Sequence, residues 1–302
     1  MKKTKIRSLV VSGGGCKGAW GGGGIEYLHD QGIDWQTYYG TSTGSLLITL
    51  SSLGKMIKLK EAYTSISNDD IFSVDPFNKK GKIKLCNAIC RLIKGETSLG
   101  ETEKLRKIIE EMFTFEEFIE VKNQEKILHA CITNYTLGKT EFKDNWENLY
   151  HDYLDYTWAS TSVPIVTNLL RKNGYEYLDG GVMDHVPLQK AIDDGADEID
   201  VVIHRPEKYE HDNWKAENMW EVLMRTIDLM EREVSLSDVL IGKLKAQDKN
   251  VKLNIYYTPY SLTDNSMVFD KKQMLKWWKE GYEYFKNHKP KCIKLESQLS
   301  KS

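Results

Sequence analysis

Ser42 is the residue whose setting in this chain most clearly predicts chemistry. It is the centre of a Gly-x-Ser-x-Gly pentapeptide, whose other members are Gly40, Thr41, Thr43 and Gly44. A branched and aromatic stretch, 33–39, precedes the pentapeptide, and an apolar run, 45–51, follows it. Strand, tight turn and helix in this order hold a nucleophilic serine at a sharp bend. Glycines suit the flanks because a Cβ would clash there, so we interpret Ser42 as a candidate nucleophile.

A glycine-rich loop is the second element with chemical potential. It follows a predicted strand, 6–11, and precedes a predicted helix, 19–30. Its members are Gly13, Gly14, Gly15, Cys16, Lys17 and Gly18. Glycines between a strand and a helix allow backbone N–H groups to point together into a concavity. Such a concavity suits a phosphate or a developing oxyanion. Lys17 either adds positive charge to that site or is a solvated residue of the first helical turn.

A carboxylate at the end of a strand is the third element. Asp179 follows a predicted strand, 175–178, and is itself followed by Gly180 and Gly181. The two glycines allow the chain to turn away sharply after the carboxylate. Asp179 is therefore a candidate acid or base at the end of the strand.

These three elements, in this order, resemble the patatin-like phospholipase family. Its pattern is Gly-Gly-Gly-x-Arg/Lys-Gly, then Gly-x-Ser-x-Gly, then Asp-Gly-Gly or Asp-Gly-Ala. The stretch 159–165 is similar to the Ala-Ser-x-x-x-Pro segment that precedes the family's aspartate. Asp184 and His185 stand where the family commonly has asparagines, so we carry no role onto them. The resemblance covers about residues 5–205.

The resemblance implies a serine–aspartate dyad in a three-layer α/β/α fold with a mostly parallel central sheet. Ser42 would form an acyl-enzyme, Asp179 would be the general base, and the N–H groups of residues 13–18 would hold the oxyanion. The implied function is a phospholipase A that cleaves carboxylic esters of membrane glycerophospholipids, including as a triggered membrane-damaging effector. The alternatives are a carboxylesterase of soluble substrates and a catalytically silent lipid-binding protein of the same fold.

Two other readings of the same residues are open. Gly13, Gly15 and Gly18 also fit the Gly-x-Gly-x-x-Gly fingerprint of dinucleotide-binding proteins, with Asp34 at roughly the acidic position. That reading leaves Ser42 and Asp179 without a role. A Ser-His-Asp triad would instead recruit a histidine after Asp179, of which His185 and His204 are the best placed in the chain.

Composition and length narrow the function classes. The chain has 302 residues, 40% of them hydrophobic and 28% charged, with a formal net charge of −2. This charge argues against a general nucleic-acid binder. The apolar stretch behind Met1 is too short for a signal peptide, and the sequence has no run long enough to cross a membrane. The five cysteines form no Cys-x-x-Cys pair. We therefore expect a cytoplasmic protein with free thiols, no metal and no cofactor.

Strands alternate with helices along the chain, which predicts a single patatin-like domain over 1–302. A helical insertion (cap) is expected at about 54–123, after the nucleophile helix, and a helical and strand extension at about 206–302. Further strands are predicted at 126–135, 199–203 and 251–257, a helix or helix pair at 214–245, and a helix at 271–289. The four glycines at 21–24 are unusual inside a helix. Close packing against the sheet would explain them, and the alternative is a first helix that begins only after them.

The segment 79–94 within the insertion predicts contact with a membrane. It contains six cations and no acidic residue, and apolar residues recur among them at helical spacing. Its cations are Lys79, Lys80, Lys82, Lys84, Arg91 and Lys94. A basic amphipathic segment is attracted to an anionic membrane surface. The same pattern is compatible with a cap helix that packs its apolar side on the core.

Overall fold

The fold is built from nine strands and eleven α-helices within the residues that the computed structural model describes, 5–78, 81–208, 215–216 and 218–293. The strands are β1 (Arg7–Val11), β2 (Thr37–Thr41), β3 (Ile127–Asn134), β4 (Lys139–Asp144), β5 (Leu170–Lys172), β6 (Tyr175–Asp179), β7 (Glu198–Ile203), β8 (Lys252–Tyr257) and β9 (Lys291–Ile293). The helices are α1 (Gly18–Asp30), α2 (Thr43–Ser51), α3 (Met56–Thr64), α4 (Asn68–Ile71), α5 (Leu85–Ile93), α6 (Glu103–Met112), α7 (Phe115–Asn123), α8 (Tyr150–Ala159), α9 (Leu188–Asp193), α10 (Met219–Lys249) and α11 (Lys271–Asn287).

The strands form one mixed sheet around a parallel centre. Its order is β5-β6-β3-β2-β1-β7-β8-β9, and β4 also pairs with β3. The five central strands, β3, β2, β1, β7 and β8, are parallel, whereas β4, β5, β6 and β9 pair antiparallel to their neighbours. Helices connect the parallel strands, as such crossovers require. The predicted mostly parallel sheet is confirmed.

Helices cover both faces of the sheet. Side chains alternate along β1, so that Leu9 and Val11 join a core cluster with α1, α2 and α11, while Val10 joins another with α9 and α10. Burial on both faces explains the apolar runs Leu9–Val11 in β1 and Val201–Ile203 in β7. The three-layer α/β/α architecture is therefore confirmed.

The ends of β2 and β6 meet against β3. The strands approach from opposite directions, so that Thr41 pairs with Cys131 and Asp179 with the next residue, Ile132. Because β4 pairs with β3 from His129 to Asn134, β2 and β6 share the other edge of β3. Ser42, directly after β2, is thereby brought to Asp179 at the end of β6.

The predicted bounds of β2 were wrong. The prediction placed this strand at 33–39, but it covers Thr37–Thr41. Trp35 is fully buried and its indole N–H donates to Asp200 at 2.7 Å, so this aromatic residue anchors the approach to the strand. Pairing with β3 then extends the strand up to Ser42.

The insertion is helical, as predicted, and holds α3 to α7 between α2 and β3. Leu105, Ile109 and Met112 are the buried side of α6. The expected helix or helix pair at 214–245 is the single helix α10, and Trp214 lies outside the described residues. The sequence reading missed α8, β5 and β9. Among the described helices, none has the length and apolar character to cross a bilayer.

The glycines of α1 are explained by close contact with α11 more than by contact with the sheet. A Cβ on Gly23 would overlap the backbone oxygen of Trp278, and one on Gly281 would overlap that of Trp20. Gly22 and Gly24 lie against the rings of Trp278 and Phe285. Only Gly21 faces a strand end, where it contacts His204. The expectation of packing against the sheet was therefore wrong for three of the four glycines.

Gly23→Ala should lower the free energy of unfolding by about 1–3 kcal/mol, the cost of overpacking a filled site. Helix propensity alone predicts the opposite sign, a gain of up to about 1 kcal/mol. Chemical denaturation of both proteins measures the difference, with Lys272→Ala on the exposed side of α11 as the control. An unchanged or more stable Gly23→Ala protein would contradict the close contact.

Candidate active site

Ser42 occupies a strained turn between β2 and α2. Its φ of 54° and ψ of −124° lie outside the regions that most residues adopt. A Cβ on Gly40 would overlap the backbone of Gly44, and a Cβ on Gly44 would overlap the carbonyl of Val11. The flanking glycines therefore make the sharp turn possible. Thr41 precedes the turn and donates its hydroxyl to the Asp184 carbonyl at 3.0 Å, while Thr43 follows it and begins α2.

Ser160 fixes the backbone of the turn. The Ser42 N–H donates to the Ser160 hydroxyl at 2.9 Å, and that hydroxyl donates to the Cys131 carbonyl at 2.6 Å. Ser160 is fully buried. It therefore links the strained turn to β3 at the place where β2 and β6 meet. The sequence reading included Ser160 in a family-like segment but gave it no role.

Asp179 is a buried carboxyl beside Ser42. Burial raises the pKa of Asp179 to about 7, although the neighbouring Ser42 hydroxyl and the Gly181 N–H favour the ionised form. The Gly181 N–H donates to Oδ1 at 2.8 Å. A Cβ on Gly180 would overlap the Cys131 carbonyl, which explains the first glycine after Asp179. The structure thus brings Ser42 and Asp179 together, with a carboxyl that gains and loses its proton near neutral pH.

The glycine-rich loop presents two N–H groups that have no partner in the described part of the chain. These are the N–H groups of Gly14 and Gly15, and both residues line the cleft that contains Ser42. Gly15 has a φ of 54°, and a Cβ there would overlap the Ser266 carbonyl. Both facts restrict this position to glycine.

The other four N–H groups of the predicted oxyanion loop are already bonded. Gly13 donates to the His185 carbonyl at 3.2 Å, Cys16 to the Ser266 carbonyl at 2.9 Å and Lys17 to the Gly14 carbonyl at 3.1 Å. Gly18 donates to the Gly15 and Cys16 carbonyls. Cys16 is buried, and burial raises the pKa of its thiol to about 12, so it stays protonated. The candidate donors are thereby narrowed to Gly14 and Gly15.

Neither histidine that could complete a triad has a hydrogen bond to Ser42 or Asp179 among the described residues. His204 lies beneath the glycine-rich loop, with Nδ1 3.0 Å from the Ser12 carbonyl and 3.2 Å from that of Gly13. Burial lowers its pKa to about 4, so Nδ1 of the neutral ring must carry the hydrogen to these carbonyls. His204 therefore supports the loop.

His185 lines the cleft but is occupied by Arg205. The Arg205 Nε donates to Nε2 of His185 at 3.4 Å, so this nitrogen is an acceptor and the remaining hydrogen is on Nδ1. Burial and two nearby cations, Arg205 and Lys17, hold its pKa well below the ordinary value. The Asp238 carboxylate accepts the backbone N–H of His185 at 2.8 Å. This arrangement leaves His185 poorly placed to accept the Ser42 proton.

Asp34, the acidic residue of the dinucleotide reading, does not face the cleft. Its Oδ1 accepts from the Lys126 ammonium at 2.7 Å, and its side chain is 54% exposed. Gly14, Gly15 and Lys17 of the glycine-rich loop instead line the same cleft as Ser42. The structure therefore gives no support to a nucleotide site at this position.

The cleft has an apolar wall and a polar wall, and encloses about 750 Å³ including its open mouth. The apolar wall consists of residues that all belong to one hydrophobic cluster: Leu46, Tyr63, Ile66, Ile71, Leu105, Val163, Met267 and Phe269. Half of these residues come from the insertion, which therefore shapes the cleft. Such a wall can hold a hydrocarbon chain next to Ser42.

The polar wall contains Lys17, His185, Arg205 and Glu231. Arg205 follows β7 and Glu231 lies on α10, and their ion pair measures 2.9 Å. The sequence reading identified neither residue as part of the site. In the sequence of one helix, Glu231 cannot be distinguished from an acidic residue on the solvent-exposed side. Only the packing of α10 near the end of β7 brings them to the cleft.

Comparison with known proteins gives matches to a protein family, to a viral protein and to a solved structure. The family model described as patatin-like phospholipase matches residues 9–192, more than half of the chain. This region contains Ser42, Asp179 and the glycine-rich loop. A probable lipid hydrolase, 463L, of Invertebrate iridescent virus 6 is 27% identical, with the match covering 64% of this chain and 65% of that protein.

Among solved structures, VipD from Legionella pneumophila is similar at 14% identity, with a TM-score of 0.44. The match covers 94% of this chain and 66% of VipD. The chain thus spans just under two thirds of each of these two proteins.

Proposed function

Since the chain belongs to the patatin-like phospholipase family, we propose that it is a phospholipase A that releases a fatty acid from membrane glycerophospholipids. The bond cleaved is a carboxylic ester, and the products are the fatty acid and a lysolipid. The observation that carries the proposal is the strained Ser42 beside a buried Asp179, in a cleft also lined by Gly14 and Gly15, whose N–H groups have no partner in the described part of the chain. Continued removal of fatty acids from the lipids of a bilayer would damage the bilayer. The same reaction would therefore suit a triggered effector.

In the proposed acylation step, the Asp179 carboxylate accepts the proton of the Ser42 hydroxyl as the serine oxygen attacks the ester carbonyl. The negative charge that develops on the carbonyl oxygen is stabilised by the N–H groups of Gly14 and Gly15. The positive end of α2, which begins at Thr43, adds to this stabilisation. Collapse of the intermediate breaks the ester bond, and Asp179 returns the proton to the departing lysolipid oxygen.

In the proposed deacylation step, Asp179 acts a second time as the base. It takes a proton from water, which attacks the acyl-Ser42 carbonyl, and the oxyanion again forms beside Gly14 and Gly15. Collapse releases the fatty acid and returns the proton to Ser42. A carboxyl whose pKa is raised to about 7 by burial is a stronger base than an exposed one, and is still ionised at slightly alkaline pH.

Ser42→Ala and Asp179→Asn should both abolish hydrolysis, with a loss of at least about a thousandfold, because each removes one half of the dyad. Fatty-acid release from phospholipid vesicles and labelling by a fluorophosphonate probe are the measurements. Thr161→Ala, which alters another hydroxyl of the cleft, is the control for nonspecific damage. Substantial activity in Asp179→Asn would remove the dyad.

Two other outcomes would identify the alternative functions. Labelling of Ser42 without vesicle hydrolysis would favour a carboxylesterase. No labelling of a well-folded protein would favour a catalytically silent lipid-binding protein.

The rate of hydrolysis should rise with pH through about 7, because Asp179 must be ionised to accept a proton and burial raises its pKa to about 7. Below that pH, kcat/KM should fall about tenfold per unit. A water-soluble aryl ester is the substrate, so that surface effects do not enter the profile. Asp238→Asn is the control, since burial also raises that pKa, to about 6, away from the cleft. If kcat/KM of Asp238→Asn no longer falls below pH 7, the fall in the wild type is not caused by protonation of Asp179.

We further propose that α5 contacts the membrane surface. Leu85, Ile89, Leu92 and Ile93 are between 56% and 79% exposed, and α5 has no buried residue. The exposed apolar residues of α5 support this proposal more strongly than the positive charges of segment 79–94 do. Lys84 and Arg91 of the predicted basic segment are paired with Asp75 and Glu101, while Lys79 and Lys80 lie outside the described residues. An exposed apolar stripe gains free energy when it enters the interfacial region of a bilayer.

Replacing Leu92 and Ile93 together by serine should weaken binding to phospholipid vesicles by roughly tenfold or more, because two exposed apolar side chains no longer leave water. Vesicle co-sedimentation measures binding, and hydrolysis of a soluble aryl ester should stay unchanged. Ile57→Ser, which alters a 74% exposed residue on α3, is the matched control. Equal losses of vesicle binding in this control and in the α5 variant would contradict docking through α5.

A further inference from the structure

The polar wall of the cleft contains a buried cation without a partner. Lys17 is only 7% exposed, and its ammonium has no hydrogen bond or ion pair among the described residues. Burial, followed by the nearby Arg205, lowers the pKa of Lys17 to about 8, so the ammonium is mostly charged at neutral pH. A charge with so little access to water is costly unless it is paired. The arrangement therefore leaves room for an anion supplied by a ligand.

The same wall contains a carboxylate with one unused oxygen. Glu231 accepts from the Arg205 Nη2 through Oε2 at 2.9 Å, while Oε1 has no partner within the described ranges. The side chain lines the cleft and is 29% exposed. Glu231 and Lys17 influence each other's pKa but are not within ion-pair distance. One wall thus presents a free cation and a free carboxylate oxygen, separated by a gap.

Arg205 fixes the position of this carboxylate. Its guanidinium donates to Glu231 and also to Asp228 at 2.9 Å, and its Nε donates to His185. Asp228 lies one turn before Glu231 on α10 and does not line the cleft. The Arg205 charge is therefore shared between two carboxylates, whereas that of Lys17 is not compensated.

We propose that this wall binds the headgroup of a zwitterionic phospholipid, with the phosphate at Lys17 and the ammonium at Glu231. The inference rests on the proposed function, because it presumes an ester substrate at Ser42. In a glycerophospholipid the phosphate is only a few bonds from the ester carbonyls. An ester positioned at Ser42 therefore carries its phosphate close to the glycine-rich loop, which contains Lys17. In an ethanolamine or choline headgroup, the ammonium follows two carbons beyond the phosphate.

The two charges distinguish this headgroup from an anionic one. A phosphoglycerol headgroup would satisfy Lys17 but would place a neutral glycerol at Glu231, whose carboxylate would then have no positive charge of the ligand beside it. A primary ammonium can donate a hydrogen bond to Oε1 as well as neutralise it. The acyl chain of either lipid would lie along the apolar wall. Glu231 is therefore the residue that sets headgroup preference.

The test compares hydrolysis of lipids with identical acyl chains in detergent mixed micelles, where surface docking is constant. The substrates are phosphatidylethanolamine, phosphatidylcholine and phosphatidylglycerol, and a phosphate-free aryl ester reports the dyad alone. Wild type should prefer the two zwitterionic lipids. Glu231→Gln, which keeps the shape and loses the charge, should shift kcat/KM at least tenfold towards phosphatidylglycerol. Lys17→Met should lose more activity on every phospholipid than on the aryl ester.

Asp228→Asn is the matched control, because it also alters a carboxylate that binds Arg205 but does not line the cleft. It should keep the wild-type preference. An equal shift in this control would mean that Glu231 acts only by holding Arg205, and would overturn the proposal. So would a wild-type preference for phosphatidylglycerol, or hydrolysis of the aryl ester with none of any phospholipid. If the wild-type protein neither hydrolyses the aryl ester nor is labelled by the fluorophosphonate probe, the proposed function itself is wrong.

Discussion

The pairing of two strand ends with consecutive residues of β3 is the constraint on which the rest of the site depends. Thr41 and Asp179 pair with Cys131 and Ile132, so two segments distant in sequence end side by side. Ser160 connects the turn after β2 to the same place through the Cys131 carbonyl. A register shift of one residue in either strand would turn its side chains to the opposite face of the sheet. The position of the candidate dyad is thus set by backbone hydrogen bonds of the sheet.

Burial then gives the side chains at this point their chemical character. It raises the pKa of Asp179 to about 7 and lowers that of Lys17 to about 8. Both shifts have the same physical cause, the cost of a charge in a medium that solvates it poorly. They bring a carboxyl and an ammonium, which normally titrate far apart, to within a narrow range around neutral pH. A charged ligand in the cleft would therefore alter the protonation of both groups.

Much of the fold and of the candidate site could be predicted from the sequence, because both depend on local patterns. Short apolar runs between predicted helices indicated the strands. The glycines around Ser42 and Asp179 mark turns that only small residues allow. The start of β2 was wrong because the tertiary contact of Trp35 overrides local propensity. Arg205 and Glu231 were missed because they converge only when α10 packs near β7. The basic segment looked uniformly cationic because its acidic partners, Asp75 and Glu101, lie outside it in sequence.

The contact between α1 and α11 has a consequence for how the protein acquires its shape. The Gly23 backbone lies against Trp278, and the Cys16 N–H is bonded to the Ser266 carbonyl, so the glycine-rich loop is held by segments some 250 residues later in the chain. Contacts between such distant segments form late, since closing a long loop costs entropy first. During synthesis, a chain that has emerged only as far as Asp179 carries both residues of the candidate dyad but lacks the contacts that hold the loop. The candidate active site is therefore completed only when the last-made segments have folded onto the glycine-rich loop.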